Sequence, residues 1–282
     1  MNKILYVIFG VFLALLLACC GSSNCSKAYS NPDKNRKIAV QMWSLHDITL
    51  EEAVKKLKAI GIDAIECYAG QLVSDKLPNV RLQPDMTQEQ INFVKKMLSD
   101  AGMKVVSFGV AQAKNEKQVE QLCIFARKLG VNKVLTESRV VLFPVWQKYC
   151  EKYDVYMCLH HHALDAPNQY YDAYVVKKYT APFSRILANP DVGHLVRSNI
   201  SAVDTIKQLD GKIGSVHIKD EDAYGNMKSK PKVLAKGFVD IPNVLRELDR
   251  QGYDGYLVIE YEDDWGKNIP HIKECADYLK NN

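Results

Sequence analysis

Net charge is almost absent from this sequence. Lys and Arg number 37 against 33 Asp and Glu, a formal +4 spread along the whole chain. That is too weak and too even for a nucleic-acid-binding surface, and no polyanionic partner is expected. Long apolar runs are also lacking, save one at residues 4–18, directly after Lys3. Even that run falls short of the ~20 residues that a membrane-spanning helix needs. Glycine (15) and proline (10) are too few in 282 residues for a collagen-like or low-complexity chain. With 47% hydrophobic and 25% charged residues, the composition is that of an ordinary globular protein.

The apolar run ends in Leu16-Leu17-Ala18-Cys19, which resembles a bacterial lipoprotein signal. On that reading residues 1–18 are a signal peptide, Cys19 is the lipid-modified residue and residues 19–37, small and polar, are a flexible tether. An ordinary secretory signal or an uncleaved anchor would use the same run. The expectation is an exported, membrane-anchored lipoprotein on a periplasmic or outer-membrane face, touching the membrane through its lipid alone. Cysteine spacing offers no disulfide framework. Removing Cys19 leaves an odd number, and Cys67, Cys123, Cys150, Cys158 and Cys275 stand singly in apolar segments, as buried small hydrophobes do. A Cys20–Cys25 pair remains open.

From residue 38 onward, apolar strand-like runs alternate with amphipathic helices. Strands are expected at 38–43, 62–67, 103–110, 131–136, 155–159, 184–188, 213–218 and 255–259. The junctions Gly61-Ile62, Gly102-Met103, Gly130-Val131 and Gly252-Tyr253 repeat one device, a glycine helix stop followed by a buried strand. Eight such units in about 245 residues match an α/β protein of the (β/α)8 TIM barrel type, occupying residues 38–282. The rival doubly wound sheet would want a Gly-rich phosphate loop after the first strand, where Gln41-Met42-Trp43-Ser44 stands instead.

In such a barrel the C-terminal ends of the strands carry the chemistry. Here they end in Glu66, Glu137, His160-His161-His162, Asp191-Val192-Gly193-His194, His217-Ile218-Lys219-Asp220 and Glu260-Tyr261-Glu262. Carboxylates and imidazoles converging on one mouth form a ligand set for a divalent ion. Alternation along the strand lets at most two of the three consecutive histidines face the site, leaving His161 structural. Trp43, His46 and Phe108 are candidate pocket aromatics.

These segments, with Gly237-Phe238-Val239-Asp240-Ile241-Pro242, follow in order and spacing the sugar phosphate isomerase/epimerase superfamily. The sequence resembles that superfamily, with its xylose isomerase-like, AP endonuclease 2-like barrel, from about Ile38 to the C-terminus. The resemblance implies one divalent metal ion (Zn, Mn, Mg or Co) held by Asp191, His217, Glu260 and a fourth ligand, Glu137 or His160. It implies proton abstraction next to the carbonyl of a sugar or keto-sugar, with Glu260 or Glu137 taking the proton and His160 or His194 returning one. His162, Arg197 and Lys219 would bind substrate. Ketose 3-epimerases carry a glutamate where His160 stands, which disfavours a symmetric two-glutamate epimerase and leans towards a hydratase or dehydratase. Endonuclease IV needs histidines in the loop after strand seven, and residues 221–236 contain none. A sugar-binding surface lipoprotein without catalysis is the alternative.

Overall fold

The computed structural model describes residues 35–166 and 170–282. The expected signal peptide, Cys19 with its expected lipid modification, Cys20, Cys25 and all but the last three residues of the expected tether lie outside the described residues. The fold begins slightly before the sequence boundary. The Arg36 guanidinium pairs with both oxygens of Asp249 at 2.9 and 3.1 Å and donates to the Asn282 carbonyl, and the Lys37 carbonyl accepts from Leu257 N.

Eight parallel strands form the barrel: β1 (Ile38–Gln41), β2 (Ala64–Cys67), β3 (Lys104–Phe108), β4 (Lys133–Thr136), β5 (Tyr156–His160), β6 (Ile186–Asn189), β7 (Val216–Ile218) and β8 (Leu257–Ile259). Each lies beside its sequence neighbours, and β1 pairs with both β2 and β8. The ring closes thinly between β6 and β7, where the pairing is reduced to two isolated bridges, Ala188 with Ile213 and Asp191 with His217. Between β2 and β3 the register slips, Ile65 facing Val105 but Glu66 facing Ser107, a bulge of the kind that re-aims a side chain.

Nine helices flank the described strands: α1 (Leu50–Ala59), α2 (Gln88–Asp100), α3 (Glu116–Leu129), α4 (Phe143–Tyr153), α5 (Ala173–Thr180), α6 (Val192–Arg197), α7 (Ala202–Gln208), α8 (Ile241–Arg250) and α9 (Ile269–Asn281). Their starts are written locally: Thr49, Thr87, Asn115 and Ser201 each accept a backbone N–H of the first turn, and Thr87 forms a reciprocal box with Gln90. α3 stops at Gly130 in the left-handed region (φ 87°), the conformation read from the Gly-Val junction. Buried Leu57, Val94, Leu122, Leu245 and Leu279 seal the helices onto the strands. Cys67, Cys123, Cys150, Cys158 and Cys275 are buried free thiols. Among the described residues, no helix is long and apolar enough to cross a membrane.

The barrel interior decides where the site lies. Ala39, Ala64 and Val258 form a small apolar cluster inside. Side chains two residues apart on a strand share a face, so the next inward layer is Gln41, Glu66 and Glu260, polar and buried.

Candidate active site

His217, on β7, is fully buried at the centre of this layer. Its Nε2 lies 2.7 Å from Glu66 Oε1. The carboxylate can only accept, so Nε2 carries a proton, and although burial opposes the charge, Glu66 and Glu260 hold the His217 pKa well above its ordinary value. Glu66 is itself held: Gln41 Nε2 donates to Oε1 at 2.6 Å, and Ser107, brought opposite by the bulge, donates to Oε2. His217 Nδ1 faces Glu260 Oε2 at 3.2 Å and Asp191 Oδ2 at 3.6 Å.

Asp191 does two jobs. Its Oδ1 caps α6, accepting from Gly193 N and His194 N at 3.0 and 2.9 Å, which leaves Oδ2 turned into the barrel. His160, at the end of β5, sets its Nδ1 2.7 Å from Asn189 Oδ1. That bond places the proton on Nδ1 and exposes the Nε2 lone pair.

Lys219, two residues beyond His217, is buried among these groups. Its Nζ lies 3.1 Å from Asp191 Oδ2, 3.0 Å from Glu260 Oε2, 2.6 Å from Glu262 Oε2 and 3.3 Å from His194 Nε2. Burial opposes the ammonium, but Asp191, Glu260 and Glu262 outweigh it and hold the Lys219 pKa well above its ordinary value. Burial likewise opposes the Glu260 carboxylate, and Lys219 and His217 nonetheless pull it down to about 2. His194 is pushed the other way, its pKa lowered well below 6.5 by burial and by the ammonium beside it. The Lys219 stem runs so close under α6 that a Cβ on Gly193 would fall 2.2 Å from its Cγ. Only glycine fits there.

Above this floor opens a cleft of about 320 Å3, lined by Gln41, Trp43, Tyr68, Glu137, His160, His162, His194, Glu260 and Glu262, with Ala69 and Val110. The rings of His162 and His194 lie 4.1 Å apart on one wall.

The structure thus brings Asp191, His217 and Glu260 together, and His160, Asp191 and His194 in a second, overlapping group; within each group the ligand atoms lie within 4.8 Å of one another. Glu137 lines the cleft but falls in neither group, so β5 rather than β4 stands beside Asp191. His161 is fully buried with neither ring nitrogen hydrogen-bonded among the described residues, away from the cleft as alternation required. Two expectations need correction. Arg197 is not at the cleft: its Nη2 donates to the Met227 carbonyl at 2.9 Å, fastening the loop after β7 to α6. Phe108 is not a pocket aromatic, being fully buried and packed edge-on against Phe125. Sequence reasoning gave little weight to Glu66 and none to Asn189 or Glu262 as partners of site residues. A carboxylate inside an apolar strand was the one available sign of Glu66.

A divalent ion fits the donor set. His217 Nδ1 has no hydrogen bond among the described residues, although it is sealed in the interior, where unpartnered polar atoms are costly; Asp191 Oδ2 meets the Lys219 ammonium at 3.1 Å. The Nε2 of His217 is tied to Glu66 and the Nδ1 of His160 to Asn189, as the outer hydrogen bonds of metal-ligating imidazoles are.

Comparison with known proteins agrees with this architecture. Residues 146–282 match the sequence profile of the family described as xylose isomerase-like TIM barrel. An uncharacterised protein of Parabacteroides distasonis superposes with a TM-score of 0.70 at 25% identity, over 87% of this chain and 98% of its own. The probable 3-DHS dehydratase AsbF of petrobactin synthesis from Bacillus anthracis gives 0.65 at 16% identity, over 87% and 99%. An L-ribulose 3-epimerase gives 0.67 at 16%, over 86% and 93%. With these last two the likeness is one of fold. No curated protein matches the sequence.

Proposed function

From the premise that the chain is a xylose isomerase-like (β/α)8 barrel, we propose that it is a divalent-metal-dependent enzyme of the sugar isomerase/epimerase kind. It acts by proton abstraction next to the carbonyl of a keto-sugar, with hydration or dehydration as the net outcome. One observation carries this reading: His217 Nδ1, Asp191 Oδ2 and Glu260 Oε2 converge in the barrel interior, with Glu260 opening onto a polar cleft.

His217, Asp191 and Glu260, joined by His160 through Nε2, would hold the ion, and their mix of imidazole and carboxylate suits Zn, Mn, Co or Mg. When bound, the ion polarises the substrate carbonyl and stabilises negative charge developing on its oxygens. The protein's own groups supply the remainder. Glu137, on the cleft wall, takes the proton from carbon. His194 receives a Lys219 hydrogen bond at Nε2, so its remaining proton sits on Nδ1, where it can be donated to a substrate oxygen or a departing hydroxide. Lys219 neutralises Asp191, Glu260 and Glu262, which would otherwise repel one another in a buried site. His162 closes the imidazole wall against the substrate hydroxyls.

Export belongs to the same proposal. The run at residues 4–18 ending at Cys19 supports a lipid-anchored protein that meets free or oxidised sugars outside the cytoplasm. The catalytic reading is tested by metal content and by solvent deuterium exchange on a panel of keto-sugars, beside His217→Ala. About one equivalent of metal, lost in the variant, with exchange or net water transfer on some member, is the expected result. No metal after reconstitution and no exchange on any member would leave a sugar-binding lipoprotein.

A further inference from the structure

The wall of the cleft opposite the imidazoles is aromatic, and it does not stop at the rim. Trp43 lines the cleft and is 40% exposed; Trp265, in the loop after β8, is also 40% exposed. His46 joins them, stacked on Trp43 at 4.5 Å with 16° between planes and edge-on to Trp265 at 4.5 Å. Tyr68, after β2, meets Trp43 edge-on at 5.3 Å on the cleft side. These residues sit at the ends of β8, β1 and β2, three adjacent strands. The aromatic band therefore runs without a break from inside the cleft to the outer surface.

The band is held rigidly. Ser44, in the turn that carries Trp43, accepts Tyr261 N at its hydroxyl and the Asn268 side-chain amide at its carbonyl. Those bonds clasp the β1 turn to both ends of the segment that carries Trp265. His46 Nδ1 is fixed on the Trp43 carbonyl at 2.9 Å. Two exposed indoles held in place at a cleft mouth are costly unless something covers them, and the cleft itself fixes what is close enough to do so. A pyranose offers a face of C–H groups to an aromatic ring's negative face, with hydroxyls around its edge. The rim adds polar groups for those hydroxyls in Asp47 and Asp264, both exposed, with Asp264 Oδ2 also 3.4 Å from His271 Nδ1.

We propose that this band is a subsite for a second sugar ring, so that the substrate is a disaccharide or other glycoside. The ring undergoing chemistry occupies the cleft and its neighbour lies along Trp43 and Trp265. The inference rests on the sugar-directed reading above but concerns binding, and its test does not require turnover. Trp146, the third tryptophan, is fully buried, so changes in intrinsic fluorescence report Trp43 and Trp265. The metal-reconstituted protein is titrated with glucose and galactose and, in parallel, with cellobiose, maltose and lactose. At least one disaccharide is expected to bind tenfold or more tighter than either monosaccharide, and Trp265→Ala is expected to bring that ratio towards one. A ratio near one in the unaltered protein, a ratio that survives Trp265→Ala, or no binding of any sugar overturns the subsite. Disaccharide binding on the band without deuterium exchange on keto-sugars would overturn the catalytic reading alone; exchange without a disaccharide preference would overturn the subsite alone.

Discussion

Burial costs histidines more than most residues, and His161 shows the cost plainly. With both ring nitrogens sealed and without hydrogen bonds among the described residues, burial pushes its pKa down to about 3. The unfolded chain takes up that proton near 6.5 and the folded one does not, so stability from this group is intact above 6.5 and drains as pH falls. The loss is about 1.4 kcal/mol for each pH unit below roughly 6. His161→Leu is expected to flatten that part of the stability profile, read from urea midpoints at pH 7 and 5. Glu66 makes the opposite case, a buried group fully employed. Glu66→Gln keeps the shape but weakens the hold on His217 Nε2, and a chelator-competition titration should show metal affinity falling by about 10- to 100-fold with the fold intact. The sequence showed the acid but not its use, because its aim depends on a one-residue slip between two strands. Asp191 was readable in two ways, as a helix cap or as a ligand; its two oxygens are placed for one use each.

At the level of elements, the strands were legible because buried parallel strands are short apolar runs between glycine stops. The forecast strand at 131–136 contains the observed Lys133–Thr136, and the one at 62–67 contains Ala64–Cys67. The hairpin Leu72–Ser74 with Leu77–Arg81 was missed, since three of its five return-strand residues (Pro78, Asn79 and Arg81) are exposed polar or proline positions that carry no period-two signal. Helix α6 was missed as well, being six residues long and defined by its cap rather than by its face. That brevity matters, because α6 can tolerate Lys219 beneath it only through Gly193. Gly193→Ala should destabilise by about 1–3 kcal/mol through overpacking. In a cycle with Lys219→Ala the two losses should not add, giving a coupling of about 1 kcal/mol or more by denaturant unfolding.

For the molecule as a whole, eight repeats of one unit made the barrel legible, and the pooling of polar residues at one set of strand ends made the mouth legible. Which of Glu137 and His160 stands beside Asp191 was not, because the two lie at equivalent strand ends and only the assembled ring separates them. Nor was Arg197's true task, which depends on a loop whose path no local pattern announces.

The ring's one thin closure, between β6 and β7, has a consequence for how the protein responds to its ligand. The second of the two bridges there joins Asp191 to His217, the same two residues proposed to hold the cation. An ion bound between them is therefore also a rivet across the split stave of the cask. Removing it should loosen that split before anything else: amide exchange across residues 186–189 and 213–218 should quicken on chelation while β1, β2 and β8 stay protected, and metal should raise the unfolding temperature in proportion to its occupancy. Uniform protection changes around the whole ring would show that the closure gains nothing from the ion.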